Sequence, residues 1–413
     1  MAPVNFTLSD EEILQVLTGN RDEGMRMLLE KIVNVIMRTE SDEQLCVEKY
    51  ERSEDRKDFR NGTRDRELTT RIGTLTLRVP RHRNEPFHTM IFENYQRSEA
   101  SLIATMVQMV IAGVSTRKVA KVVDTLCGKE FSKSTVSALC KSLDAEINAF
   151  QNRRLDDIDA PFLIMDATYF KVRENHKCVS KAFIVALAIR SDGKREVLGF
   201  GVYDAESGYA WLDFLEKLKS RGLNSVKMVI TDAHNSIRMA LANVYPTVAW
   251  QRCQVHLTRD ILDHVPPKYK EAVKTGLVQI FNEEDIEKAR KLKNELVEEY
   301  SDVAEKAMDT LEKGFEDAMT VMSCPETMRV PLRTTNIIER LNREFKRRSA
   351  VIGIFPDASS VNRLMGALAI EFNDLLSGKQ NFFSQKRYYE IKPELDTKLK
   401  EIATKQLAML RAA

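Results

Sequence analysis

The residue that most constrains this chain is an acid where a sheet wants none. Asp166 interrupts FLIMDATYFKV (residues 162–172), a stretch of aliphatic, aromatic and β-branched residues with the composition of a buried strand. An ionised carboxylate inside a sheet is costly unless it binds a cation or pairs with a basic group. Whatever folds here must therefore give Asp166 a partner. Residues 181–190 (KAFIVALAIR) and 195–203 (REVLGFGVY) read as the next two strands, with Asp192 and Gly193 as a tight turn between them. A helix fits 209–221, a buried strand 225–231 (SVKMVIT), a helix 236–244 and a last strand 247–252. The order β-β-β-α-β-α-β predicts an α/β fold with a mixed sheet, in which three meandering strands are followed by two parallel additions.

At 413 residues the chain exceeds the roughly 100 to 200 that one domain takes, so two or three packed units are expected. A content of 43% hydrophobic and 30% charged residues, with 16 Gly and 11 Pro, excludes disordered and collagen-like classes. No apolar run approaches the roughly 18 residues of a membrane helix, and MAPVNFTLSDEE lacks the basic-then-apolar order of a secretory signal. The six cysteines are scattered, as reduced thiols are. A cytoplasmic protein is expected. Net charge is only +2, so distribution decides. Residues 1–60 hold nine Lys/Arg against fourteen Asp/Glu, whereas residues 331–350 hold six against two. The second window is a basic helical patch, which fits a phosphate contact and also a solvated helix face.

Residues 1–60 read as amphipathic helix, first on Ile13, Val16 and Leu17, then on Met27, Leu28, Ile32, Val35 and Ile36. From Arg60 the pattern becomes strand: Leu75, Leu77 and Val79 alternate with Thr76 and Arg78, Gly62 and Gly73 mark turns, and Pro80 ends the run. Arg71 and Arg78, with Arg81 and Arg83, suit either a phosphate backbone or open solvent. Residues 114–143 carry two short helical patterns, one on Val119, Val122, Val123 and Leu126, the other on Val136, Leu139, Cys140 and Leu143. FSKST supplies a Ser or Thr cap for the second. Either the pair only packs as an αα-hairpin, or it is a helix-turn-helix that turns Lys133, Ser134, Ser137 and Lys141 toward a major groove. Residues 258–328 are helical, RTTNIIERLNREFKRR opens the basic helix, 360–376 forms an apolar helix and 389–413 a charged helical tail.

Among 61 acidic residues, placement must single out the chemistry. Asp232 ends the buried strand SVKMVIT, where open α/β sheets place ligands, although Asp there also serves as a helix N-cap. Glu339 follows three candidate caps, Thr334, Thr335 and Asn336; alone it reads as a surface Glu paired with Arg343. In a sheet of the predicted order the first and fourth strands are neighbours, so Asp166 and Asp232 converge, and a following helix can lay Glu339 beside them. Three carboxylates without thiolates suit Mg²⁺ or Mn²⁺. Two such ions about 4 Å apart can activate a water or a 3′-hydroxyl and stabilise the leaving oxygen of a phosphodiester. Arg340, Arg343, Lys346, Arg347 and Arg348 would then hold a nucleic-acid backbone. Cys253 and His256 form a C-x-x-H pair; zinc needs four ligands, and only His234 and His264 lie within reach, so burial beside the site is the preferred reading. Trp250 either fills the core or stacks on an unpaired base.

The stretches MDATYFKVR, VLGFGVYDAESGYAWLDFLEKLKSRGL, VITDAHNSI, WQRCQVHLTRDIL and RTTNIIERLNREFKRR resemble the IS256 family of bacterial insertion-sequence transposases, related to the Mutator group. FRNGTRDRELTTRIGTLTLRVPRHR and GVSTRKVAKVV extend the likeness, which covers residues 58 to 376. The resemblance implies a ribonuclease H-like DDE core interrupted by an all-helical insertion. Asp166, Asp232 and Glu339 would be its catalytic, metal-holding triad, with Mg²⁺ (Mn²⁺ as substitute) as cofactor, two ions per site. The family's C/D-x-x-H motif falls on Cys253 and His256, which with Asn336 would support the site. Arg71, Arg78, Arg117, Lys133, Ser134, Lys141 and Trp250, with the basic residues after Glu339, are the expected DNA contacts. The implied organisation is an N-terminal helical region (1–58), a small β region for DNA contact or dimerisation (59–100), a helix-turn-helix domain (101–150), the first part of the core (155–256), the insertion (257–330), the second part with the Glu (331–376) and a helical tail (377–413). Implied partners are double-stranded DNA, as terminal inverted repeats and target, and further copies of the chain in a homodimer or larger assembly; the implied location is the bacterial cytoplasm, on the nucleoid. Two other activities stand beside strand cleavage and transfer: a domesticated, non-cutting DNA-binding regulator, and a ribonuclease H-like nuclease without strand transfer.

Overall fold

The computed structural model describes residues 9–10, 21–47, 51, 56–70, 72–91, 100–127 and 131–412, in two compact units, Met1–Ser142 and Leu143–Ala413. The division falls inside the 101–150 segment, because the helix that follows it packs with the second unit.

In the first unit, helix α1 (Arg21–Leu45) lies against a hairpin of β1 (Arg60–Thr70) and β2 (Gly73–His82). Leu75, Leu77 and Val79 turn inward onto Val33 and Met37, as their alternation requires. Two expectations need correction. Pro80 does not end β2; it pairs with Thr63 inside the ladder, tolerable because a two-stranded sheet offers it an unpaired edge. Gly62 does not mark a turn; its φ of +76° sits where the register shifts between Arg60 and Thr63, a bulge that glycine accommodates. The helix expected around Ile13, Val16 and Leu17 lies outside the described residues. Helices α2 (Ala100–Ile111), α3 (Thr116–Cys127) and α4 (Lys133–Leu139) bury Leu102, Met106, Val119, Val123 and Val136 together. Ser132 caps α4, its Oγ accepting the Thr135 N–H at 3.0 Å.

The second unit opens with α5 (Leu143–Asn152) and then the sheet. Its strands are β3 (Phe162–Glu174), β4 (Lys177–Ile189), β5 (Arg195–Tyr203), β6 (Met228–Thr231) and β7 (Ala249–Arg252), in the spatial order β5-β4-β3-β6-β7. The meander β3-β4-β5 is antiparallel, and β6 and β7 are added in parallel, so the expected mixed sheet is present. Helices α6 (Gly208–Ser220) and α7 (Asn235–Val244) supply the crossovers and bury Trp211, Phe214, Leu215 and Leu241 against one face of the sheet. At the β4–β5 turn Gly193 adopts φ +79°, and a Cβ there would meet the Phe383 carbonyl oxygen at 2.2 Å. No other residue fits that position.

Between β7 and the basic helix the chain forms α8 (Gln254–Asp263), α9 (Lys270–Asn282), α10 (Ile286–Ala318, kinked at Ala304) and α11 (Glu326–Leu332). These enclose a core of their own around Leu257, Leu277, Leu311 and Phe315. Helix α12 (Asn336–Ile352) then crosses the other face of the sheet, followed by α13 (Ala358–Ser377) and α14 (Gln385–Ala412).

Both edges of the sheet are closed by a carboxamide. Asn373 on α13 accepts the Val197 N–H at 2.7 Å and donates to its carbonyl at 3.1 Å. Gln406 on α14 accepts the Trp250 N–H at 2.9 Å and donates to its carbonyl at 2.7 Å. Each side chain does what a neighbouring strand's peptide would do, and leaves no exposed edge at that point to pair with another chain. Asn373→Leu and Gln406→Leu are each expected to lower stability by about 1–3 kcal/mol, because the Val197 or Trp250 N–H loses its partner, while the carbonyl keeps a second donor, Arg153 Nη2 at 3.2 Å or Thr320 Oγ1 at 3.0 Å. Urea denaturation measures this; midpoints unchanged from the parent would show that the amides are dispensable.

Candidate active site

The site starts from the β3–β6 ladder. Parallel pairing runs from Phe162↔Met228 to Ile164↔Ile230 and stops. Two residues further on, side by side at the carboxyl ends of the paired segments, stand Asp166 and Asp232. Burial along β3 is continuous from residue 162 to 165, then relaxes at Asp166. The Asp166 carboxylate accepts the Ala167 N–H at Oδ1 (2.9 Å) and Asn342 Nδ2 at Oδ2 (2.6 Å). Asp232 is not spent as a helix cap: α7 is led by His234, and Asp232 Oδ1 accepts only the adjoining Ala233 N–H, at 2.6 Å.

Glu339 arrives on the first turn of α12. That helix buries Ile338, Leu341, Asn342 and Phe345 at helical spacing, with Phe345 edge-on to Phe183 of β4 at 5.2 Å. Of the three candidate caps, Thr335 holds the cap position, yet its hydroxyl makes no cap bond. It points to Cys253 Sγ (3.4 Å), His256 Nδ1 (3.5 Å) and Glu339 Oε1 (3.5 Å) instead. His256 Nε2 lies 3.6 Å from Glu339 Oε1.

His256 is the common neighbour of all three acids. Its hydrogen bond to Cys253 raises its pKa to about 9 against the opposing effect of burial, with Cys253, Asp232 and Glu339 adding their negative charge. Burial pushes the Cys253 thiol up, but the contacts with His256 and Thr335 outweigh it and leave the thiol below its ordinary range. At Asp166 burial prevails and moves the pKa from 3.8 up to about 6; the Ala167 N–H and His256 oppose this, while Glu206 and Asp232 reinforce it. Glu206, half-buried in the loop between β5 and α6, is itself raised by burial; the nearby charge of Asp232 adds to this, and Tyr169, whose hydroxyl lies 3.4 Å away, is the neighbour bonded to it.

The three predicted acids and the Cys253–His256 pair thus share one cleft. They are not gathered into a ready-made ion nest: among the described residues, no group of three or more His, Cys, Asp or Glu is close enough to hold a metal ion. The donor chemistry nevertheless suits a hard cation. The three acids offer carboxylate oxygens, and Asn342 Oδ1 is a buried oxygen with no hydrogen-bond partner. Asn336 is exposed at the start of α12.

Sequence reasoning missed Asn342 and Glu206. For Asn342 a signal existed, since it lies three residues after Glu339 and shares its helix face. Glu206 carried none that separates it from other loop acids.

Of the expected DNA contacts, Arg340, Arg343, Lys346 and Arg347 are exposed along α12, while Arg348 is half-buried. Glu344 pairs with Arg347 at 2.8 Å and approaches Arg348. Arg78, Arg117, Lys133, Ser134 and Lys141 are exposed in the first unit, and Arg71 lies outside the described residues. Trp250 needs correction as a base-stacking residue. Only 6% exposed, it donates its indole N–H to Thr231 Oγ1 at 2.8 Å and carries Arg238 over its ring. Its flat face belongs to the core.

The arrangement is a mixed sheet with paired acids at its parallel ends, a third acid on a helix and a basic surface on that same helix. The profile of the family described as "Transposase, Mutator family" matches residues 3–377, and the chain belongs to that family. It is 42% identical to the transposase for insertion sequence element IS256 in transposon Tn4001 of Staphylococcus aureus, covering 91% of this chain and 96% of that one. It is 39% identical to the ISRM5 transposase of Rhizobium meliloti (88% and 90%) and 34% identical to the IS1081 transposase of Mycobacterium tuberculosis (85% and 85%). Among solved structures, the Drosophila P element transposase strand transfer complex aligns with a TM-score of 0.30 at 10% identity, over 74% of this chain and 93% of that one, too low to bear on the fold. Among the described residues, no helix is long and apolar enough to cross a membrane.

The raised pKa of Asp166 is also a statement about stability. A carboxyl protonated more readily in the folded state than in the unfolded one costs nothing below about pH 4, and the cost grows until pH passes about 6. Asp166→Asn is therefore expected to stabilise the protein by as much as roughly 3 kcal/mol above pH 7 and to leave it unchanged below pH 4. Chemical denaturation at the two pH values tests this; an Asn variant no more stable than the parent at pH 8 would refute it.

Proposed function

We propose that this insertion-sequence transposase binds the terminal inverted repeats of its element and catalyses cation-dependent DNA strand cleavage and strand transfer at Asp166, Asp232 and Glu339. The observation that carries the reading is the shared cleft itself: three acids brought from distant parts of the sequence around His256, in a sheet of order β5-β4-β3-β6-β7. That order is the one expected of a ribonuclease H-like core. The all-helical segment between β7 and α12 stands where the family resemblance calls for an insertion.

Asp166, Asp232 and Glu339 would hold the divalent ions, Mg²⁺ or Mn²⁺, by drawing closer than they stand here. Bound there, such ions supply Lewis-acid activation of a water or 3′-hydroxyl and stabilisation of the leaving oxygen. The protein's own part is positioning. The ladder between β3 and β6 sets the two aspartates at one level, and α12 carries Glu339 to them. His256 with its raised pKa brings a positive charge among the acids, and Thr335 orients it. Arg340, Arg343, Lys346 and Arg347 then lie on the helix that bears Glu339, placed to bind the backbone of the strand being cut. The α3–α4 pair, read as a helix-turn-helix, would present Lys133 and Ser134 to the terminal repeat, with Arg117 and Lys141 beside it.

Pre-cleaved terminal DNA, Mg²⁺ and a target plasmid test the reading. Joined product is expected from the parent. Asp166→Asn, Asp232→Asn and Glu339→Gln should lose both cleavage and joining while binding terminal DNA as the parent does. Cleavage without joining would identify a nuclease, and binding without cleavage a regulator. For the basic helix, Arg343→Ala and Arg347→Ala should each reduce the slope of log K against log salt by about 0.9, the signature of one lost phosphate contact. A slope that stays put for both would take α12 off the DNA.

A further inference from the structure

Asn342 is 7% exposed and lies on the buried face of α12, where its neighbours Ile338, Leu341 and Phe345 are apolar. Its amide nitrogen donates to Asp166 Oδ2 at 2.6 Å, and its amide oxygen has no partner. Leaving a buried carbonyl unsatisfied is unfavourable, and a side chain there only to pack would do better as leucine. The amide can do something leucine cannot. It reaches from the helix that bears Glu339 to the strand that bears Asp166, and it fixes the rotation of the Asp166 carboxylate by holding one oxygen while the Ala167 N–H holds the other. Since the oxygen of an amide lies about 2.2 Å from its nitrogen, Oδ1 is within about 5 Å of Asp166 Oδ2. The unpaired acceptor oxygen is thus beside the cleft.

We propose that Asn342 is a positioning residue of the cation site: through its bond to Asp166 it sets the geometry in which Asp166 meets a divalent ion and ties the Glu339 helix to that geometry. The inference rests on the proposed function, because it takes Asp166 to be an ion ligand.

The test reads ion binding directly. Full-length parent, Asn342→Leu, Asn342→Gln, Asp166→Asn and the double variant Asp166→Asn/Asn342→Leu are titrated with Mn²⁺ by calorimetry, and their unfolding temperatures are followed with and without Mn²⁺ in parallel. Loss of an outer partner of a metal ligand weakens ion affinity about 10- to 100-fold. Asn342→Leu is expected to show a loss of that size with an ion-free unfolding temperature close to the parent's. Asn342→Gln, which keeps an amide donor on a longer stem, should recover part of it. Because the residue acts through Asp166, Asn342→Leu should add nothing to the loss already caused by Asp166→Asn. Parent-like Mn²⁺ affinity in Asn342→Leu beside an impaired Asp166→Asn would overturn this proposal and leave the function reading standing, as would losses that simply add in the double variant. A parent that takes up no Mn²⁺, or an Asp166→Asn variant that binds it normally, would overturn both. Should Asn342→Leu not fold, the Asn342→Gln titration decides: affinity and DNA cleavage both identical to the parent, despite the displaced amide, would count against the proposal.

Discussion

Three pairs of a parallel ladder hold the whole arrangement: Phe162↔Met228, Leu163↔Val229 and Ile164↔Ile230. Beyond them β6 gives way to the loop before α7, while β3 continues against β4, with Asp166 opposite Val185. The backbone of β3 therefore stays regular on one side just where its other side opens. This is how an acid survives in so apolar a strand. Its peptide groups remain in the antiparallel ladder, and only its side chain faces the crevice that forms where parallel strands end. Asp232 stands just past the end of β6, at the same distance beyond the shared ladder, and neither needs a positive-φ backbone to be there.

The third acid depends on longer-range packing. Some eighty residues separate β7 from α12, yet that helix is fastened along its length. The Gln254 N–H binds the Arg333 carbonyl just before it starts, Asn342 and Phe345 grip β3 and β4 in its middle, and Phe355 after its end exchanges backbone bonds with Lys171 and Arg173. The intervening helices do not loosen this, because they form their own core and are pinned at their far end. The side-chain amides of Gln251 and Gln254 both donate to the Ala318 carbonyl, at 2.7 and 2.9 Å. A helical segment anchored at both of its ends can stand between β7 and α12 without separating Asp232 from Glu339.

Much of this was legible in the residues, and the reasons for success and failure are physical. The central strands were readable because strands buried on both faces are written as unbroken apolar runs, and β5 was found to the residue. The β3–β4 hairpin was cut short on both sides, at 172 and 181, because its outer half is polar. It continues as a ladder to Glu174↔Lys177 around Asn175 and His176, both at positive φ, which is a turn chemistry the sequence did display. Pro80 and Gly62 read locally as punctuation, yet a two-stranded edge hairpin absorbs a proline and a bulge without ending. The aspartates stand out against their strands, whereas Glu339 is legible only jointly with them, through the predicted sheet order and then the family motifs, since a first-turn Glu is ordinary by itself. Trp250 and Thr335 show the limit. Whether a tryptophan faces core or ligand, and whether a threonine caps its helix or turns toward a neighbour, is decided by tertiary contacts that no local pattern records.

The electrostatics of the cleft follow from the same geometry. Burial and the neighbouring acids Glu206 and Asp232 act against the charge on Asp166, and two groups act for it: the Ala167 N–H, and His256 with its raised pKa. Burial is the largest of these effects, and the Ala167 N–H and His256 do not offset it, so Asp166 stays above the ordinary carboxylate range. His256 also cannot approach closer without leaving Cys253 and Thr335, the contacts that keep it protonated and in place. The folded chain thus carries a concentrated negative charge that its own cations leave partly uncompensated, while Arg340, Arg343, Lys346 and Arg347 face outward from the same helix. On the proposed function, that division of labour is coherent. The outward cations would meet phosphates, and a divalent ion would relieve the inward excess of negative charge, so that the ionised Asp166 that burial disfavours would be stabilised by the ion it holds.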